Sequence, residues 1–376
     1  MEHNATLKEI AKLFLKLGII GFGGPAAHIA MMQDEVVTKR KWLTEQHFLD
    51  LIGATNLIPG PNSTEMAIHI GHEKGGWKGL IIAGLCFILP AVFITGIFAY
   101  LYRQYGQIPE VQPFIYGIKP AIIAIILGAI FPLAKKSLKS TELIIIGLLV
   151  LLGSLFHINE IPLMFGAGFL ALLLAYFRNR KPHQLNSFLP LTLVPIANTT
   201  ILSATNTNLF WIFLKIGAIL YGSGYVLFAF IDTELVSTGL LTRQQLIDAI
   251  AVGQFTPGPV FSSVTFIGYQ INGWTGAVVS TVAIFLPSFI FVALLNPIVK
   301  KMRSSKLLSA FLDAVNVASV AIIVAVCFDM GKDTITDWRT ILIAVLSIII
   351  AFGYKKFNSA FVVLGGSLIG YLLTLI

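Results

Sequence analysis

Pro59-Gly60-Pro61-Asn62-Ser63-Thr64-Glu65 interrupts a long apolar chain, and the interruption returns as Pro257-Gly258-Pro259-Val260-Phe261-Ser262-Ser263. Proline removes a backbone donor and stops a helix, and the residue before it avoids the helical region. Outward from these breaks the duplication continues. Leu13-Phe14-Leu15-Lys16-Leu17-Gly18 returns as Ile212-Phe213-Leu214-Lys215-Ile216-Gly217. Gly76-Trp77-Lys78-Gly79 returns as Gly273-Trp274-Thr275-Gly276, and Pro90 as Pro287. The displacement stays at about 197 to 199 residues. A duplicated hydrophobic chain with prolines and glycines at matching interior places is the pattern of a secondary transporter.

Composition fixes the solvent. The chain has 376 residues, 56% hydrophobic and 12% charged, with a mean hydropathy of +0.84. A soluble domain carries about 25% charged residues. Several apolar runs reach the roughly 20 residues that a helix needs to cross a hydrocarbon core. The polar start, Met1 to Glu9, holds no apolar signal-peptide core, so the first helix is expected to direct insertion. The formal charge of +8 falls in small loop clusters rather than one stripe, which points to cytoplasmic loops and not to nucleic acid. Cys86 and Cys327 lie inside apolar runs and read as packing residues. There is no Walker-type phosphate loop, His-Glu-x-x-His helix or Gly-x-Ser-x-Gly elbow, so no cofactor, metal or ATP-driven step is expected.

The pattern predicts an all-α polytopic membrane protein of two inverted repeats, each with about five transmembrane helices and a re-entrant Pro-Gly-Pro hairpin. Spans are expected near 10 to 31, 78 to 101, 113 to 134, 141 to 156 and 160 to 178. The second set falls near 210 to 231, 276 to 299, 308 to 328, 339 to 353 and 358 to 376. Residues 1–178 form the first repeat, 179–209 a Pro/Asn/Thr-rich cytoplasmic linker, and 210–376 the second repeat. Between the first two spans of each half, helices over 44 to 58 and 242 to 256 run into the Pro-Gly-Pro break. Short helices then return to about residues 72 and 270. Non-helical backbone at membrane depth needs protein or a watery cavity around it.

Basic residues orient the chain. Lys39-Arg40-Lys41, Lys135, Lys136, Lys139, Arg178, Arg180 and Lys181 fall on one face, with Lys300, Lys301, Arg303, Lys306, Lys355 and Lys356 from the second half. That face is cytoplasmic by the positive-inside rule. Equivalent loops of the two halves then lie on opposite sides.

Candidate site residues cluster at the breaks. The helix after Pro59-Gly60-Pro61 offers unpaired N–H groups and a positive dipole end to an anion, with Asn62 and Ser63 as added donors. The competing reading is a capping box between Asn62 and Glu65. Thr256, Pro257, Gly258, Pro259 and Ser262 hold the matching places. Gly23-Gly24-Pro25 and Gly222-Ser223 can unwind the first span of each half, or simply let helices pack closely. Lys16 and Lys215 sit about two turns before those breaks, and Lys119 precedes Pro120. Each is a substrate-binding candidate, with snorkelling to the interface as the alternative. His28 follows the glycine break and joins the candidate binding set, although a lone histidine is more often a packing residue. Asp50, Asp248 and Glu65 are candidates for proton coupling if burial favours their neutral form, with helix-surface or salt-bridge roles as the alternative.

Gly21-Phe22-Gly23-Gly24-Pro25-Ala26-Ala27-His28-Ile29-Ala30, Pro59-Gly60-Pro61-Asn62 and Gln254-Phe255-Thr256-Pro257-Gly258-Pro259-Val260 resemble the chromate ion transporter family over essentially the whole chain. The resemblance implies a duplicated two-domain member of a bacterial plasma (inner) membrane that exports chromate, with sulfate as a competing or exchanged oxyanion. The partners implied are a small oxyanion substrate and the lipid bilayer, and a homo-oligomer is left open. Two rivals stand beside export: a proton-coupled importer or exchanger of sulfate or another anion, and an intramembrane enzyme acting on a lipid phosphate. The enzyme would want an arginine clamp, and the loop after Pro61 holds no arginine.

Overall fold

The computed structural model describes residues 5–22, 24–178, 206–221, 224–295, 306–353 and 359–375. Gly23, Gly222, Ser223 and the linker residues 179–205 lie outside them, as do the basic residues at 300–303 and 355–356.

The expected first span is two helices, not one. Thr6 accepts from the Glu9 N–H and opens α1 (Leu7–Ile20) as a capping box. The helix stops at Gly21, and α2 (Gly24–Gln33) starts from a glycine with φ of +78°. A π-helical turn, Asp34–Lys39, follows. Lys16 Nζ lies 2.8 Å from Glu35 Oε1. In one continuous helix two residues 19 positions apart would stand about 28 Å from each other. The chain therefore folds back at the glycine break. The second half does the same with α8 (Asn206–Ile219), α9 (Val226–Ile231) and the π turn Asp232–Val236, where Lys215 Nζ meets Glu234 Oε2 at 2.6 Å. Asn206 to Leu209, assigned to the linker by the sequence, already belong to α8.

Thr44 caps α3 (Glu45–Thr55), as its position predicts, and Thr242 caps α10 (Arg243–Phe255). Past the breaks run α4 (Asn62–Tyr105) and, after a 3-10 turn at Val260–Ser262, α11 (Ser263–Leu295). Each is bent back on itself. Gly76 has φ 57° and ψ −149°, and Gly273 has φ 58° and ψ −151°, conformations open to glycine and strained for other residues. A Cβ on Gly71 would overlap the Gly79 carbonyl, and one on Gly268 the Gly276 carbonyl. In a straight helix those glycines would be about 12 Å apart. Small residues let the two arms touch backbone to backbone.

The long second arms of α4 and α11 cross antiparallel. Gly84 faces Phe289 near one end, while Gly96 faces the Trp274 ring near the other. The remaining helices are α5 (Gln112–Ser137), α6 (Thr141–Leu155), α7 (Glu160–Arg178), α12 (Lys306–Thr334), α13 (Trp338–Gly353) and α14 (Ser359–Thr374). They interlock by exchange. α5 of the first half packs on α13 and α14 of the second, and α12 of the second packs on α6 and α7 of the first. Gly117 lies so close to Gly366 and Gly370 that no side chain fits between them.

Among the described residues, five helices are long and apolar enough to cross a membrane: α4, α5, α7, the 260–294 stretch and α12. α6, α13 and α14 are shorter apolar helices. Ile145, Leu148, Leu149 and Leu152 on α6 and Val345 and Ile349 on α13 are half or more exposed or nearly so. Contiguous apolar faces of this kind are intolerable in water and ordinary in lipid. The chain is an all-helical, multi-pass membrane protein.

Candidate functional site

Each Pro-Gly-Pro break is held by the opposite half. The Gly60 N–H donates to the Leu220 carbonyl at 2.8 Å, and the Gly258 N–H donates to the Gly21 carbonyl at 2.7 Å. Leu220 and Gly21 are repeat equivalents, so the two bonds form a matched pair. Both donors have left-handed backbone, φ +135° at Gly60 and φ +88° at Gly258. Gly18 of α1 presses on the Phe87 carbonyl and Gly217 of α8 on the Ile284 carbonyl, again in matched places.

His28 belongs to this frame. Its Nε2 lies 2.9 Å from the Gly21 carbonyl, which can only accept, so Nε2 carries the proton. Its ring packs edge-on against Phe87 with centroids 5.4 Å apart. Gly21 O thus takes two donors, one from each half, where the broken helix would otherwise leave it bare.

The first tip does not contain the expected capping box. Pro61 stands at the N-cap and has no side-chain oxygen to offer. Asn62 instead donates from its amide to Asn56 Oδ1 at 2.9 Å. Glu65 points away, to Ser288 Oγ at 3.4 Å, and its second oxygen has no partner. Pro59 and Pro61 bracket Gly60, and Ser63 is buried on the first turn. Beside this tip lies a cavity of about 140 Å³, lined by Asn56, Asn62, Asn316, Ser319, Lys136 and Lys139 among others. One water needs roughly 10–15 Å³ of such space, so the cavity admits several waters or a small polyatomic anion.

The second tip carries hydroxyls and no charge. Thr95 Oγ1 lies 3.5 Å from both Thr256 Oγ1 and Ser262 Oγ, and all three are buried. Pro257 and Pro259 flank Gly258, whose Cβ would stand 2.8 Å from Ala91. Gln254, the equivalent of Asn56, takes a 3.2 Å bond from Tyr225 Oη.

The three lysines are not gathered at the tips by their pairings. Lys16 pairs with Glu35 and Lys215 with Glu234, each on the π turn after its own break. The Glu35 carboxyl, held first by the Lys16 hydrogen bond and then by the charges of Lys16, Arg40 and Lys39, lies below the usual glutamate range despite its partial burial. Lys119 lies 3.9 Å from Asp248, which also accepts from Tyr102 Oη at 2.6 Å. Asp248 therefore ties α10 of the second half to α4 and α5 of the first. Asp50 takes a 3.5 Å contact from Gln46 on its own helix. Gly24 and Pro25 begin α2 beside the fold-back.

Sequence reasoning missed Glu35, Glu234, Thr95, Ser288, Asn56 and Ser319. For the glutamates a signal was present: each follows its lysine by the same interval in both halves, with opposite charge. The others, except Asn56, meet groups about 100 to 220 residues away, and no local pattern marks them.

These features define a multi-pass membrane transporter, with its centre built by two half-chains. The model of the chromate transporter family matches residues 8–172 and again residues 207–371, and the chain belongs to that family. It is 30% identical over 359 residues to the probable chromate transport protein of Synechococcus elongatus, covering 92% of this chain and 89% of that one. It is 31% identical over 380 residues to the chromate transport protein of Cupriavidus metallidurans, covering 97% and 92%. The chromate transport protein of Pseudomonas aeruginosa is 29% identical over 381 residues, covering 96% and 90%. The relatives so named are transporters, not enzymes. No solved structure matches the chain.

Proposed function

We infer that this chain exports chromate across the bacterial inner membrane by alternating access, with sulfate as a competing or exchanged oxyanion. The crossed pair of backbone bonds, Gly60 to Leu220 and Gly258 to Gly21, carries this reading. It supports two inverted repeats whose re-entrant tips share one centre, because the equivalent long arms of α4 and α11 are antiparallel. An axis along the membrane normal would make them parallel. The loaded site is the cavity at the first tip. There Asn62, Asn316 and Ser319 supply neutral donors, the start of α4 supplies its dipole, and Lys136 supplies charge at the rim. A tetrahedral dianion accepts from every direction and suits such a donor-rich wall. Lys16 and Lys215 brace the α1 and α8 fold-backs rather than touch the anion.

The outward path then closes when the two halves rock about the crossed tips and the Asp248–Lys119–Tyr102 link parts or tightens. Radiolabelled chromate and sulfate flux in proteoliposomes, with the internal anion varied, tests the reading. Chromate flux accelerated by sulfate on the opposite side is expected. Flux of neither anion under any gradient would remove it. The buried acid under the first tip favours a second element, coupling to protons.

A further inference from the structure

Glu65, His69 and His72 occupy positions i, i+4 and i+7 of the first arm of α4, so they share one helical face. The face starts under the first tip. A Cβ on Gly60 would overlap Glu65 Oε1 and stand 2.7 Å from Ser288 Oγ, so the carboxyl fills the space beneath the tip glycine. Glu65 is fully buried, and beyond the Ser288 contact its Oε2 has no partner. His69 is fully buried with neither ring nitrogen bonded, and Thr64 Oγ1 beside them is bare as well. His72 is half-buried and stacks edge-on to Trp77 at 5.7 Å. One residue on, exposed Glu73 lies 3.4 Å from His47 at a shallow surface groove that also includes Thr6 and Lys74.

We propose that Glu65, His69 and His72 form a proton path from the surface groove to a proton-binding site at Glu65, and that this proton binds together with the oxyanion. This rests on the oxyanion reading of the first tip. Buried polar groups are nearly always satisfied, and two neighbours one turn apart with bare polar atoms, Glu65 and His69, are unusual without a role. Residues one turn apart on a helix face have their Cβ atoms about 5–6 Å apart, a span that a proton can cross through side-chain rotation or one intervening water. The proton enters from solvent onto His72, passes to a ring nitrogen of His69 and joins a Glu65 carboxylate oxygen, leaving both rings neutral and the acid uncharged.

The groups facing this row are few. α11 presents Ser288, and the link after α8 presents Tyr221, which lies within electrostatic reach of Glu65. α3 presents His47 to Glu73. On α1, which packs against this arm, Lys16 is paired with Glu35, and Lys8, Glu9 and Lys12 lie nearer its start. Among the described residues no lysine or arginine forms an ion pair with Glu65. An ionised Glu65 one turn from Asn62 repels a dianion in the cavity, and a protonated one does not. Linkage then makes the proton and the oxyanion tighten each other. The loaded carrier still moves one net negative charge, which an inside-negative potential drives outward.

The second half has Ser263, Ile267 and Gln270 at these places and holds no such path. Two measurements test the proposal on the purified full chain. An infrared pH titration should show a protonated carboxyl band that disappears in Glu65→Gln and persists in His28→Asn. Chromate binding should weaken tenfold or more from pH 6 to pH 9 in the native protein relative to Glu65→Gln, which stays at the tight limit. The anion's own protonation is common to both and cancels. His69→Leu should keep the equilibrium profile and slow proton uptake at least tenfold on stopped-flow mixing. A band unchanged by Glu65→Gln, equal pH profiles, or sodium dependence in place of pH dependence would each overturn the proposal. No chromate binding by the native protein, with its carboxyl band present, would instead fell the oxyanion reading and the coupling with it, leaving a bare proton site.

Discussion

The two tips share a backbone and differ in chemistry. At the first, Gly60 reaches Leu220 O and covers Glu65 and Ser288, beside a polar cavity. At the second, Gly258 reaches Gly21 O and covers Ala91, beside Thr95, Thr256 and Ser262. Three repeat-matched backbone features are kept: the glycine donors, the helix pressed by Gly18 or Gly217, and the bend at Gly76 or Gly273. The side chains around them have diverged. Glu65 faces Ser263 in the alignment of halves, Asn62 faces Val260, Ser288 faces Ala91 and Lys119 faces Asn316. Duplication supplies a symmetric frame that can be entered from either side. Ligand chemistry needs only one good pocket, so one half was free to become filler.

The largest expected effect comes from the tip glycines. Gly60→Ala must place a methyl against Glu65 and Ser288 at φ +135°, and Gly258→Ala one against Ala91 at φ +88°. A left-handed non-glycine residue alone costs about 1–2 kcal/mol. Chromate flux in proteoliposomes should vanish in the first and fall at least tenfold in the second. The pair separates on rescue. Ala91→Gly makes room for Gly258→Ala and should restore part of the flux. Ser288→Gly cannot rescue Gly60→Ala, because the Glu65 carboxyl remains in the way. Equal rescue at both tips would break the comparison.

Next in size are the side chains beside the breaks. Asn62→Ala removes the bond to Asn56 and a donor to the cavity, and chromate affinity should drop about tenfold, the worth of one charge-assisted hydrogen bond of roughly 1.5 kcal/mol. Thr95→Val removes hydroxyl contacts that are long at 3.5 Å, so affinity should change by less than threefold while stability falls by about 1 kcal/mol or less. Equilibrium binding of labelled chromate in detergent measures both. A larger loss at Thr95 than at Asn62 would move the ligand to the second tip.

What was legible in the sequence is what local chemistry dictates. Thr44 and Thr242 announce their helices, proline marks the breaks, and apolar length marks α5 and α12. The fold-back of α1 onto α2 was not legible. An apolar run broken by glycines reads equally as a kinked span or as two helices, and only the Lys16–Glu35 pair decides. The capping box failed for a related reason. Asn62 and Glu65 have the right spacing, but Pro61 occupies the cap and distant Ser288 draws Glu65 away. At the site the backbone breaks were readable, whereas their partners come from the other half-chain, about 160 to 240 residues off. Intramembrane lysines drew attention as charges, yet a nearby carboxylate answers each one.

The smallest effect is expected from those lysines, and it is the sharpest test of which groups do chemistry. Lys16 is half exposed in its pair with Glu35, so solvent screens the interaction and its worth is about 0–1 kcal/mol. Lys16→Met and Lys215→Met should each leave chromate affinity within about twofold and lower stability only slightly. The pH dependence identifies the pair. The Lys16 hydrogen bond lowers the Glu35 carboxyl in the folded state. A depressed carboxylate stabilises the fold above its unfolded value, roughly pH 4.3, and loses that contribution as pH falls through the folded one. The thermal-unfolding difference between the native protein and Glu35→Gln should therefore be constant near neutrality and close below about pH 4. A collapse of chromate binding in Lys16→Met, with unfolding unchanged, would return the lysine to the ligand and leave the first tip without its claim.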